Sequence, residues 1–365
     1  MLKSIALENF KCFQDKQEFP LSQITIMYGR NGRGKSTVAQ SLLLLSQTML
    51  SNNDISNLQL SGSCISLGTF NDVVNQNGEN NHFGIILNND EENVVMYFEK
   101  YPEKPQLGKI SILTINGETR FDEVAEMGST SEAATKCIST TSDIESLQML
   151  KSIKYVAASR IGPKNSVSRK DSLDDDNIGV NGENVINVLA RKGIDFIDDV
   201  EKELSNILGG ASIRVNNKDS ERIELYLNSK DESKTFRPVN VGFGYSYVLP
   251  IIVSALLSQE GSLLIIENPE AHLHPGAQSR IMEFLIKVVK EKKLQILIET
   301  HSDHVVNGMR IAIKQGKLNP QDAHILYFSE ESSSAQKITC DRNGTLSDYP
   351  DDFLDEWTLQ LLKLV

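Results

Sequence analysis

Two short apolar runs open the chain, SIALENF and ITIMY, parted by the turn-like KCFQDK. Their alternation predicts a small strand unit whose second strand feeds a glycine-rich turn. Ser41 to Leu45 and Met49 then form a broad apolar face, which predicts a helix leaving that turn. From about Asn52 to about Asp143 the texture changes to HFGIILN, NVVMYFEK and KISILTI, divided by Asn, Gly, Asp and Pro. That pattern predicts an antiparallel β lobe inserted into the first domain. SIKYVAAS predicts a buried strand and KNSVSRKDSLDDDNIGVNGEN a loose loop. VINVLARKG and FIDDVEKELSNILGG have helical spacing, and SIRVNN with RIELYLNS predicts a hairpin.

Further on, LLII before Glu267 and QILI before Glu299 are unbroken apolar runs. Such runs suit central parallel strands, which are covered on both faces. AHILYFSE and KITCDRNG predict two more strands, and DDFLDEWTLQLLKLV an amphipathic helix that packs on the domain or docks another subunit through Trp357. No repeat and no sustained heptad run occurs, so a long coiled coil is not expected.

Composition narrows the setting. With 365 residues, 39% hydrophobic and 24% charged, the chain can bury a sizeable core, and no apolar run suits a membrane span. The first ten residues lack the layout of a signal peptide, and Cys12, Cys64, Cys137 and Cys340 are too scattered for paired metal spacing. A cytoplasmic protein with free thiols and no membrane partner is the expectation. A net charge of -12 repels nucleic acid overall, so any such contact needs a local patch. The best candidate is Lys151, Lys154, Arg160, Lys164, Arg169 and Lys170, which also reads as a solvated face.

The chemistry concentrates in YGRNGRGKST. Gly29-x4-Gly34-Lys35-Ser36 has P-loop spacing, with a strand running in and a helix running out. Glycines there let the backbone N–H groups of Arg30, Asn31, Gly32, Arg33 and Gly34 turn toward phosphate oxygens, and the new helix adds its positive end through Ser36 and Thr37. Lys35 supplies a point charge for the outer phosphates and Ser36 a hydroxyl ligand for Mg²⁺. ATP and Mg²⁺ are therefore the expected cofactors. Glu267, ending its strand, is expected to face the metal with Ser36 through adjacent parallel strands. His301, ending the next strand, could reach a γ-phosphate.

These three segments in this order resemble the ABC-type ATPase heads of the RecF, SMC and OLD group. The resemblance implies an α/β fold: a P-loop head with a mixed sheet core, an antiparallel β lobe and a helical signature lobe. It implies that Gly242, Gly244 and Ser246 in VNVGFGYSYVLP precede a helix whose N–H groups meet the ATP of a second subunit, giving a homodimer or higher oligomer. ASRIGP, ENPEAHLHP, ETHSDHVVNGMR and DRNGTLSDYPDDFLDE are similar to stand-alone ATPases with a C-terminal tail domain of unknown function. That likeness implies a switch serving a separately encoded effector, such as a nuclease, in bacterial anti-phage defence or DNA repair.

Two departures stand out. Asn268 occupies the usual position of the water-activating glutamate, so base work falls to Glu270, to His301 or to nothing. Tyr247 stands where a glutamine is common. Arg160 is either a cation near the site or half of a structural salt bridge. The expected division is 1–50 and 236–322 for the two halves of the head, 51–150 for the β lobe, 151–235 for a helical and hairpin lobe, and 323–365 for the tail. Rival readings are a nucleotide-binding scaffold with little turnover and a metal-dependent nuclease built on Asp174 to Asp176 or on the histidines at 272, 274, 301 and 304.

Overall fold

The computed structural model describes residues 1–78, 81–101, 103–122, 144–172, 174–219, 221–228, 234–329, 334–351, 353–354 and 362–364. Its first half runs β1 (Ser4–Glu8), β2 (Gln17–Pro20), β3 (Ile24–Gly29), α1 (Lys35–Asn52), β4 (Asn57–Gln59), α2 (Phe70–Val73), β5 (His82–Asn88), β6 (Asn93–Lys100), β7 (Leu107–Ile115), β8 (Glu118–Asp122) and α3 (Glu145–Leu150). The rest runs β9 (Lys154–Val156), β10 (Ser166–Ser168), α4 (Val185–Lys192), α5 (Ile194–Leu208), β11 (Ser212–Asn216), β12 (Arg222–Asn228), α6 (Phe243–Leu257), β13 (Leu263–Glu267), α7 (Pro275–Lys292), β14 (Gln295–Thr300), α8 (Asp303–Lys314), β15 (Ala323–Phe328) and β16 (Gln336–Ile338).

A six-stranded sheet in the order β16-β15-β3-β14-β13-β9 carries the candidate chemistry. Its strands are parallel except β16. The unbroken apolar runs follow from this position. Ile24, Ile26, Leu264, Ile266, Ile296 and Ile298 face one core, shared with α4 to α8 and the small sheet. Met27, Leu263, Ile265 and Leu297 face a second core, shared with α1 and the antiparallel strands. A strand buried on both sides has no solvent face on which to place polar residues.

The antiparallel sheet reads β2-β1-β5-β6-β7-β4, with β8 on β7. Ile5 pairs with Leu87, and Leu7 with Ile85, so the N-terminal hairpin is the continuation of the lobe sheet. The stretch expected to be a loose loop contains β10, which pairs Ser166 with Glu224 and Ser168 with Arg222. Three residues are too few for alternation to show, and only β12 gives them a partner. The acidic run after it is clamped: Asp175 meets Arg191 at 2.9 Å and Asp176 meets Lys192 at 2.6 Å, both from α4.

Gly244 and Ser246 do not precede α6 as expected; they lie within its first turns, with Gly242 as N-cap. No helix among the described residues exceeds 18 residues, and none is long and apolar enough to cross a membrane. Trp357 and most of the expected C-terminal helix lie outside the described residues, as does Cys137.

Candidate functional site

Gly34 is where the phosphate cradle closes. It is the N-cap of α1 with φ 101°, a left-handed conformation that β-carbon sterics disfavour. A Cβ there would also sit 2.4 Å from the Phe13 ring. Arg30 to Arg33 form the exposed tip, whereas Lys35 and Thr37 are buried. The Lys35 Nζ donates to the carbonyls of Gly29 at 2.8 Å and Arg30 at 2.5 Å. Burial lowers its pKa, and the charge of Glu299 works against that shift.

Strand order brings acids to this cradle in an arrangement different from the expected one. β14, not β13, lies next to the P-loop strand, with Glu299 beside Met27 and Glu267 one strand further out beside Glu299. Neighbouring strands lie ~4.8 Å apart, so Glu299 is laterally at about half the distance of Glu267. Accordingly the Ser36 hydroxyl donates to Glu299 Oε1 at 2.9 Å. Glu267 instead accepts from the Ala158 N–H at 3.0 Å and from the Tyr155 hydroxyl, whose pKa burial and Glu267 raise strongly. Glu299 is the residue that sequence reasoning left out of the site. Its signal was a charged residue closing an otherwise apolar strand.

Glu299 is 8% exposed, and its second oxygen, Oε2, is buried without a hydrogen-bond partner. Burial raises its pKa, with Glu267 and Glu270 pushing the same way while Ser36 and Lys35 oppose. The folded chain thus holds this proton more tightly than the unfolded chain. Stability falls as pH rises from the ordinary glutamate value through the raised one. Without ligands, Glu299→Gln is expected to melt above the native chain at roughly pH 8 and to lose that advantage near pH 4. Thermal melts across that range check it.

Glu270 binds the loop after β14. Its Oε2 accepts from Thr300 Oγ1 at 2.7 Å and its Oε1 from the His301 N–H at 3.0 Å. His301 also hydrogen-bonds the backbone of Gly29, and burial, then Lys35, lowers its pKa. Ser302 Oγ caps α8, accepting from the N–H groups of His304 at 3.1 Å and Val305 at 3.3 Å. Asp303 accepts from Tyr28 Oη at 2.6 Å, tying α8 to the P-loop strand.

Arg160 is a cation near the site, buried rather than solvent-facing, and among the described residues it forms no salt bridge. At 3% exposure it donates to the carbonyls of Ala157 (3.0 Å), Glu267 (2.7 Å) and Asn268 (2.5 Å), and it lies 5.6 Å from the Tyr247 ring. Burial lowers its pKa to about 10. It thereby pins the turn after β13, where Asn268 and His272 adopt φ of 45° and 60°. Arg160→Met strips buried carbonyls of their donor and should cost about 3 kcal/mol, read from urea denaturation. His272 packs its ring 4.2 Å from Tyr247 and 5.6 Å from Phe243, and a Cβ on Gly244 would lie 3.0 Å from the His272 carbonyl oxygen, so the first turn of α6 stands against this same turn. His274 caps α7, accepting from Gly276 N–H at 3.3 Å.

The candidate basic patch disperses. Arg160 is buried, Lys154 donates to the Asp176 carbonyl at 2.8 Å, Arg169 to those of Asn217 and Asp219, and Lys170 to Asn184 Oδ1 at 2.7 Å. Among the described residues, no group of three or more His, Cys, Asp or Glu is placed to hold a metal ion.

Residues 1–189 match the family model described as an AAA ATPase domain. Residues 144–307 match an AAA domain whose description names AbiEii toxin and a Type IV TA system, and residues 318–364 match a protein of unknown function (DUF3696). Among solved structures, the SMC head bound to the C-winged helix domain of ScpA is 15% identical, with 93% of this chain and 97% of that chain covered at a TM-score of 0.55. The Smc head with an extended coiled coil from Pyrococcus furiosus, bound to the C-terminal domain of ScpA, is 12% identical, with 100% and 98% covered at 0.51. At such identities the likeness shows the fold, a P-loop ATPase head. No curated protein matches the chain.

Proposed function

We propose, from the premise that this chain belongs to the AAA ATPase domain family, that it is an ATP-hydrolysing switch working as a dimer on a separate effector. One observation carries this reading: Lys35, Ser36, Glu299 and His301 converge where β3 and β14 end. In parallel α/β sheets, ligands bind at the carboxyl ends of the strands.

The cradle of Arg30 to Thr37 would hold the triphosphate, with Lys35 released from its own loop carbonyls to meet the outer phosphates. Mg²⁺ fits the donors present: a serine hydroxyl, carboxylates nearby, and a buried carboxylate oxygen lacking any partner. Bound there, the ion would neutralise phosphate charge and polarise the bond that breaks. Ser36 and Glu267 are the expected holders. His301, whose ring burial and Lys35 make harder to protonate, could turn its ring N–H from the Gly29 backbone to the γ-phosphate while its backbone N–H stays on Glu270. A second subunit would bring Gly242, Gly244 and Ser246 to that phosphate, since the N-terminus of α6 has no side-chain cap of its own. The family description naming a toxin and a Type IV TA system supports a role in defence; DNA repair of RecF/SMC type is the alternative.

A nucleotide-binding scaffold with little turnover is favoured by one observation. Both Glu270 oxygens are engaged, and Asn268 cannot accept a proton, which leaves no free carboxylate at the base position. Steady-state ATPase assays on the native chain and Glu270→Gln decide between them. Turnover that falls about 10–100-fold in Glu270→Gln supports the switch; no turnover in the native chain supports the scaffold.

A further inference from the structure

We infer that a cavity at the free edge of the six-stranded sheet binds a small organic anion, a carboxylate carrying a short apolar body. The site stands apart from the nucleotide cradle: Leu50, part of its lining, lies ~22 Å along the α1 axis from Lys35. Binding there does not require nucleotide.

β9 ends the sheet, and the chain from Asp174 to Asn184 runs past it, with the Ala157 N–H donating to the Val180 carbonyl at 2.9 Å. Between edge and chain lies a cavity of about 360 Å³, within the ~300–1,000 Å³ of small-molecule sites. Three features of its lining select the ligand.

The first is charge. Lys154 Nζ donates to the Asp176 carbonyl at 2.8 Å, and Lys151 Nζ to Gln148 Oε1 at 2.9 Å and to Asn53 Oδ1. Those acceptors are neutral, so among the described residues neither ammonium has an ion pair. The acids of the lining are already engaged. Asp176 meets Lys192 at 2.6 Å, Asp174 accepts from the Asp176 N–H at 3.1 Å, and Glu183 from the Asn181 N–H at 3.0 Å. An ammonium carries three donors, which leaves Lys154 two to offer an anion. The second feature is Ser254, on α6, which is 1% exposed and whose Oγ is buried with no hydrogen-bond partner. A hydroxyl left bare in the interior costs free energy that an acceptor on a ligand would restore. The third is apolar surface, supplied by Leu50, Ile153, Ile178 and Val180. An inorganic ion would leave that surface wet, whereas a chain of methylenes covers it.

A ligand held here touches two elements that lead to the candidate site. Ser254 belongs to α6, whose first turn packs on His272, and the hydroxyl of Tyr155, also in the lining, bonds Glu267.

The test is isothermal titration calorimetry on the full chain without nucleotide, with straight-chain carboxylates from acetate to octanoate and with inorganic phosphate. Affinity should rise about threefold per added methylene until the cavity is filled, and phosphate should give no heat. Lys154→Met is expected to weaken octanoate about 10–100-fold and Ser254→Ala about 3–10-fold. Ser254→Ala should melt no lower than the native chain without ligand, because its hydroxyl has no partner to lose. Cys64, in the lining, gives a readout that needs no variant. Octanoate at roughly ten times its Kd should slow its alkylation by iodoacetamide about tenfold, while the exposed Cys12 reacts at its native rate. No heat from any carboxylate, or phosphate binding as tightly as octanoate, would overturn the inference. So would octanoate affinity unchanged in Ser254→Ala and Lys154→Met, or Cys64 and Cys12 slowed alike.

Discussion

Lys35→Ala is expected to bind ATP about 100-fold more weakly than the native chain and to show no turnover above background. The magnitude follows from where the ammonium sits. It is 3% exposed and stands in the mouth of the loop, 2.8 Å from the Gly29 carbonyl and 2.5 Å from that of Arg30. Removing it takes away the charge that meets the phosphates and leaves two carbonyl dipoles aimed at an anion. A charge-assisted hydrogen bond is worth about 1.5–3 kcal/mol, which is a factor of about 10–100 in affinity. Lys35→Met, which keeps the apolar stem, separates loss of charge from loss of packing: it should melt closer to the native chain than Ala does, yet bind ATP no better. Fluorescent-nucleotide titration beside thermal melts reads both quantities. Native-like affinity in Lys35→Met would count against the phosphate cradle.

Gly29→Ala should be the most damaging single change to the fold of the head. Gly29 has φ of 133°, and its missing Cβ would lie 2.3 Å from the backbone oxygen of Phe328, its partner on β15. A side chain could rotate away from such a clash; a strand carbonyl in a central sheet cannot. Either β15 parts from β3 or the turn into the cradle reshapes, at an expected cost of about 3 kcal/mol or more. Gly32 provides the control. It also has positive φ, 76°, but a Cβ there meets nothing within 4 Å, so Gly32→Ala should cost only about 1 kcal/mol of backbone strain. Urea midpoints of the two variants test the order. Equal midpoints would mean that the β3–β15 contact carries no such constraint.

Much of the head was legible because local rules act there without help. A strand, a glycine turn and a helix follow one another between Ile24 and Asn52, and β3 and α1 form as the spacing implies. The runs before Glu267 and Glu299 form central parallel strands for the same reason. Short or context-bound features were not legible. β10 has three residues and exists through its pairing with β12. Arg160 read as surface charge because nothing near it in sequence reveals that three carbonyls await it. The cap of α8 is of the same kind: Ser302 and Asp303 both suit a helix start, and only the backbone geometry selects Ser302.

By itself, then, the amino-acid sequence determined which segments bury themselves on both faces, where the chain turns sharply enough to expose its N–H groups, and which side chains end the strands. It left strand order undetermined, because parallel strands bond through backbone groups common to every residue. Only tertiary packing placed β14 between β3 and β13, and with that ~4.8 Å step it made Glu299, not Glu267, the acid beside Ser36.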